Sequence, residues 1–203
     1  MKPHSHATRR LVFVVVTLLI GFLTPHAFAA EKPNFVVIFT DDQGYGDLGC
    51  YGSKTLRTPR IDRLAKEGTR FTDFYAQTVC GPSRTALLTG RYPIRSGDGW
   101  SVPTDEVTIA EVLKRSGYAT CCIGKWDISG RKAVLDRMPR AQGFDYYFGP
   151  LGANDRGRVR FYENNEPAGS TRDMGCLTRK YTDKATRLDI CGSMEQEWPG
   201  PHS

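Results

Sequence analysis

The sequence predicts an α/β fold, a mixed, largely parallel sheet flanked by helices, and three observations predict it. Apolar, β-branched runs of strand length alternate along the chain with stretches of helical periodicity. The first run, "NFVVIFT" (Asn34 to Thr40), is apolar at nearly every position, the pattern of a strand buried on both faces in a parallel sheet. Polar loops close the runs, at the carboxyl ends of strands where α/β sheets carry their sites.

The elements follow in order. "TPRIDRLAKEG" reads as a helix, with Thr58 as N-cap, Pro59 at the first helical position, Ile61 and Leu64–Ala65 on one face and Gly68 beyond its end. Thr69 to Ala76 ("TRFTDFYA") reads as a second strand. "PSRTALLTG" is a helix with Pro82 in its first turn. In "TIAEVLKRSG", Thr108 and Glu111 are spaced as a capping box and Gly117 closes the helix. "YATCCIGKW" (Tyr118 to Trp126) is the next strand. Beyond "GFDYYFG" the signal weakens, although "CLTRKYTDKA" has the look of a helix start.

At 203 residues the chain can bury a sizeable core. Residues 1–30 read as a signal peptide: Lys2, Arg9 and Arg10 precede the apolar run "LVFVVVTLLIGFL", and Ala27-Phe28-Ala29 is a cleavage site. That run is too short to span a bilayer, so an exported chain, periplasmic or extracellular, without a stable membrane anchor is expected. Setting the segment aside removes three basic residues and no acidic one, which lowers the net charge from +6 to +3. No basic face is left to suggest nucleic acid.

His4, His6 and His26 lie in the presumed leader and His202 is the penultimate residue, so the body of the chain offers no imidazole base. Six cysteines permit disulfides in an exported protein, but Cys121-Cys122 sit in an apolar run and read as core residues. No zinc spacing is present.

Gly44-Tyr45-Gly46-Asp47-Leu48-Gly49 spells GxGxxG, yet Asp41 and Asp42 before it would repel a pyrophosphate and no helix follows at once. A turn, or a loop for a hard cation such as Ca²⁺ or Mg²⁺, suits these residues better. Cys80 in "TVCGPSRTALLTGR" sits beside a helix N-terminus, where the macrodipole favours an anion, and Arg84 one turn later adds a cation with a bidentate fork.

"CGPSRTALLTGR" resembles the signature of the type I sulfatases, whose C-x-P-x-R cysteine is oxidised to Cα-formylglycine. "PNFVVIFTDDQGYGDLGCYG", "TPRIDRLAKEGTRFTDFYA" and "GYATCCIGKW" resemble the same family in order and approximate spacing, over about Pro33 to Gly149. The resemblance implies an alkaline-phosphatase-like fold and a sulfuric ester hydrolase acting on aryl or carbohydrate sulfates. It implies Cys80 as the residue converted to the nucleophile, Arg84 as the group holding its hydrate, Lys125 as a contact to both the hydrate and the sulfate, and Asp41, Asp42 and the side chain at 80 as ligands of a divalent cation, Ca²⁺ before Mg²⁺. A formylglycine-generating enzyme is implied as a maturation partner. A phosphohydrolase of the same superfamily would call for Ser or Thr at position 80 and zinc-type histidines, and neither is present.

Two departures from the family pattern stand out. Many members read G-K-W-H-L-G where this chain has Gly124-Lys125-Trp126-Asp127-Ile128-Ser129. An acid there can take up a proton, but its charge opposes a sulfate unless the metal and Lys125 offset it, so the role of Asp127 stays open. Family members also run to several hundred residues and draw further ligands from beyond this length. Residues 31–203 are therefore expected to be the N-terminal portion of a sulfatase domain, with an atypical tail from about 185 that suggests truncation or a frame shift. The competing expectation is a catalytically inactive remnant.

Overall fold

The computed structural model describes residues 32–97, 99–130, 134–153 and 157–188. The presumed signal peptide, Cys191 and His202 lie outside the described residues. The chain divides into two units, residues 1–38 and 39–203. In the first, residues 32–38 form neither helix nor strand, and Phe35, Val36, Val37 and Ile38 are exposed.

The second unit is built on a four-stranded mixed sheet in the order β1-β2-β3-β4, with β1 Cys121–Ile123, β2 Tyr146–Gly149, β3 Val159–Glu163 and β4 Glu166–Thr171. β1 and β2 are parallel, in register Cys121 to Tyr146 and Ile123 to Phe148, while the two later pairings are antiparallel. Among the described residues four α-helices accompany it: α1 Pro59–Glu67, α2 Cys80–Thr89, α3 Ile109–Arg115 and α4 Leu177–Arg187. Among the described residues no helix is long and apolar enough to cross a membrane.

β2 is the buried centre, with all four residues inside. Its side chains alternate between faces, as a strand requires. Tyr147 joins Val102, Trp126, Ile128, Met138 and Leu151 in one core cluster, and Tyr146 and Phe148 join Val159, Phe161 and Leu177 in another. α4 covers the second cluster. There the Phe148 and Phe161 rings stack at 5.5 Å, and Lys184 bonds Glu163 at 2.7 Å.

The helices follow their local signals closely. The capping box of α3 is formed, with Thr108 Oγ1 accepting from the Glu111 N–H and the Glu111 carboxylate accepting from the Thr108 N–H, and Gly117 takes φ +80 after its end. Thr108 also donates to the Gln142 carbonyl at 2.7 Å, which ties α3 to the loop before β2. From the same side, Asp145 accepts from the Thr120 N–H and from Lys114. Burial would raise the Asp145 carboxyl, but these bonds outweigh it and hold its pKa below the ordinary value. At α1 the outcome differs from expectation. Thr58 Oγ1 accepts from Gly49 N and donates to Asp62 instead of capping the helix, and Gly68 is extended rather than left-handed.

Two expected strands are absent, and β1 is shorter than Tyr118–Trp126. Residues 34–40 take part in no strand pairing among the described residues, and a strand is held by its neighbour's hydrogen bonds. In residues 69–76 the backbone polar groups are taken by side chains: Tyr45 Oη donates to the Phe74 carbonyl and accepts from its N–H, and Tyr51 Oη donates to the Phe71 carbonyl. The GxGxxG stretch is likewise closed on itself. Gly44 N–H donates to Asp47, Gly49 N–H to Thr58 and Cys50 N–H to Asp62, which leaves none of these amides for a phosphate.

Among the described cysteines none is in a disulfide. Burial pushes the Cys121 and Cys122 thiols up to about 12, in keeping with a core role.

One close approach sets the geometry at the sheet's functional end. A Cβ on Gly149 would lie 2.0 Å from the Gly124 carbonyl oxygen, which is backbone and has no freedom to yield. Gly149→Ala is therefore expected to cost at least about 3 kcal/mol, at the upper end for overpacking. A thermal melt checks this, and an unchanged midpoint would contradict it.

Candidate active site

The site grows out of the chain that continues β1. Gly124 N–H donates to the Phe148 carbonyl, Trp126 N–H to Pro150 and Asp127 N–H to Leu151, so residues 124–127 run beside the end of β2. Trp126 and Ile128 are buried in the core cluster, with Trp126 Nε1 donating to the Arg137 carbonyl at 2.9 Å. The side chains of Lys125 and Asp127 lie outside this core cluster. Lys125 meets Asp41, and Asp127 meets Cys80.

Cys80 opens α2, as the sequence predicts. The N-terminus of α2 is held by packing and by a buried bond: a Cβ on Gly81 would strike the Trp100 ring at 2.5 Å, and Thr85 Oγ1 donates to the Gly99 carbonyl at 3.0 Å. The glycine of C-G-P-S-R thus has a steric reason. Gly90, at φ +66, ends the helix.

Around Cys80 two cations and two acids converge. Arg84, its side chain 13% exposed, donates through Nη1 to the Lys125 carbonyl at 2.6 Å, approaches Asp41 at 3.9 Å and lies over the Phe39 ring at 5.4 Å. Lys125 Nζ donates to Asp41 Oδ2 at 3.1 Å and lies 3.8 Å from Asp127 Oδ2. Burial would lower the lysine pKa, but the hydrogen bond and charge of Asp41, with the charges of Cys80 and Asp127, outweigh it and leave it raised. Lys125 is charged at neutral pH. Its contribution to stability is complete below the ordinary value of 10.5 and is lost as pH rises through the raised one.

Of the residues singled out from sequence, Cys80, Arg84, Lys125 and Asp41 share this cluster. Asp42 does not: it is exposed, and no hydrogen bond or ion pair among the described residues involves it. Among the described residues no three His, Cys, Asp or Glu side chains come together as a metal site. Carboxylate oxygens suit a hard cation, but Asp41 is turned to Lys125 and Arg84, so these residues alone do not make up a complete site. Sequence reasoning missed Phe39 as the floor of Arg84 and Gly149 as the spacer behind Gly124. Neither carries a motif, because both matter only through contacts across the fold.

The Sulfatase family model matches residues 33–189, and the chain belongs to the sulfatase family. It is 46% identical to human arylsulfatase A over 158 residues and 44% identical to human steryl-sulfatase over 151 residues, alignments covering 72% and 65% of this chain. Among solved structures it is similar to the PsFucS1 sulfatase of Pseudoalteromonas sp., with TM-score 0.66, 25% identity, and coverage of 92% of this chain and 44% of that one. It is also similar to a sulfatase described with the metabolism of multiple glycosaminoglycans by Bacteroides thetaiotaomicron, with TM-score 0.62, 38% identity, and coverage of 68% and 32%. The chain spans 31% and 26% of the length of arylsulfatase A and steryl-sulfatase.

The cluster should behave as one electrostatic unit. Lys125→Met removes the ammonium beside the fully buried Asp127 and is expected to destabilise the chain by about 2–3 kcal/mol, with part of the loss returning in the Lys125→Met, Asp127→Asn double variant. Denaturant melts of the four proteins measure this. Strict additivity would contradict the coupling.

Proposed function

We propose that this chain carries the nucleophile end of a sulfuric ester hydrolase, with Cys80 as the residue converted to formylglycine. The observation that carries the reading is the placement of Cys80 at the first turn of α2, bonded to Asp127 and through it beside the ion-paired cluster of Lys125, Asp41 and Arg84. Family membership and sulfatase relatives support the reaction class.

As formylglycine, position 80 would offer a hydrated aldehyde, one hydroxyl of which attacks the ester sulfur while the other permits release of sulfate, so that one hard step becomes two. The residues around it do the binding. Arg84 and Lys125 present fixed positive charge to the sulfate oxygens, and their mutual hydrogen bond and the Phe39 ring keep Arg84 from reorganising. The α2 N-terminus adds its dipole on the same side. Asp41 and Asp42 are the carboxylates this stretch would contribute to a Ca²⁺ site, where the cation would neutralise sulfate charge; further donors would come from outside the described residues. The substrate is a sulfate ester of an aryl or carbohydrate alcohol. The maturation partner is a formylglycine-generating enzyme, and the setting is periplasmic or extracellular.

A second reading, an inactive sulfatase remnant, is favoured by the incomplete donor set. Sulfate release from an aryl sulfate with Ca²⁺, by chain produced in a host that forms formylglycine, separates the two. The hydrolase reading expects turnover above a Cys80→Ala control by about 10² or more, the scale of losing a covalent catalyst. Release equal to the control supports the remnant.

A further inference from the structure

Asp127 is the one charged group of the cluster that the proposed reaction leaves unused, and its situation is costly. It is 0% exposed, and its φ of +56 lies in the left-handed region that an L-residue other than glycine seldom adopts. A buried carboxylate must also recover its lost hydration through local partners. Its Oδ2 accepts a hydrogen bond from Cys80 Sγ at 3.2 Å and lies 3.8 Å from Lys125 Nζ. The backbone beneath is pinned by the Asp127 N–H to Leu151 carbonyl bond. The nucleophile position and the cation thus meet on one oxygen, held by a residue that the core prevents from moving.

We propose that Asp127 is the positioning residue for side chain 80, fixing its rotamer by accepting a hydrogen bond from it and so holding the reactive atom beside Lys125. Its task is geometric, as an acceptor. The thiol donates in the unmodified chain. The extension to the mature enzyme, in which a hydroxyl at position 80 replaces the thiol as donor, rests on the formylglycine reading above.

The test uses the full chain made in a host that leaves Cys80 as cysteine, so that it stands apart from the formylglycine reading. Two variants suit the left-handed backbone. Asp127→Gly removes the acceptor, and Asp127→Asn keeps an acceptor oxygen without the charge. Alkylation of each cysteine by iodoacetamide under native conditions is followed by peptide mass spectrometry, with the buried Cys121 and Cys122 reporting whether the fold is intact. Positioning predicts that Cys80 in Asp127→Gly reacts about tenfold faster than in the parent chain, the scale of a hydrogen bond to a charged group, while Asp127→Asn stays within about twofold. Equal rates in all three proteins overturn the proposal, and so does equal acceleration in both variants, which would mark a charge effect alone. If Asp127→Gly exposes Cys121 and Cys122, Asp127→Ala, which also lacks the acceptor, is read in its place: a tenfold rise over the parent supports positioning, and a rate equal to the parent's overturns it. Persistent cysteine at position 80 in a formylglycine-forming host would sink the proposed function and leave these rates to judge Asp127.

Discussion

The site depends on how residues 124–128 are laid along the end of β2. Three carbonyls, of Phe148, Pro150 and Leu151, accept from Gly124, Trp126 and Asp127. Trp126 and Ile128 pack into the core, while the Lys125 and Asp127 side chains lie outside that cluster and meet Asp41 and Cys80, with Asp127 on a left-handed backbone at φ +56. Gly149 must lack a side chain for the two backbones to come this close, and Gly124 takes φ +108, a backbone conformation that favours glycine. What the core selects, therefore, is the direction in which two charges point, and the chemistry of the site is a consequence of hydrophobic packing behind it.

Placed there, the charges need one another. Lys125 is desolvated on a side chain only 8% exposed, and Asp41 and Asp127 flank it. Arg84 is fixed by the Lys125 carbonyl on one side and the Phe39 ring on another. In such a low-polarity setting an ion pair gives orientation more dependably than net stability. Orientation is what the proposed sulfate-binding site would require, since charge that is already aligned costs nothing to reorganise when a substrate arrives. α2 completes the arrangement by presenting Cys80 at its positive end, with Gly81 against Trp100 and Thr85 bonded to the Gly99 carbonyl setting its pose.

Much of this was legible in the sequence where the signals are local. Thr108 and Glu111 three residues apart in a capping box, Gly117 at a helix end, and Pro82 in a first turn act on their own neighbours, so pattern reading found them. The cluster of Cys80, Arg84, Lys125 and Asp41 came through the resemblance of its stretches to the sulfatase family. The strands were harder, because a strand exists only through a partner. "NFVVIFT" has the composition of one and joins no pairing among the described residues, and "TRFTDFYA" gives its backbone groups to Tyr45 and Tyr51. Conversely β3 and β4 were not recognised, although the two-residue turn at Asn164 and Asn165, with Asn164 at φ +55, was a local sign of a hairpin. Asp42 shows the limit of adjacency: next to Asp41 in the chain, it faces solvent while Asp41 enters the cluster.

The central claim is that this fold presents Cys80 as a residue to be remade into an aldehyde nucleophile. The measurement that tests it most directly is mass spectrometry of the peptide containing Cys80, from chain produced in a formylglycine-competent host, before and after reaction with a hydrazide. The account predicts a peptide that has lost its sulfur and couples to the hydrazide through an aldehyde at position 80. A peptide that keeps its thiol and ignores the hydrazide would contradict it.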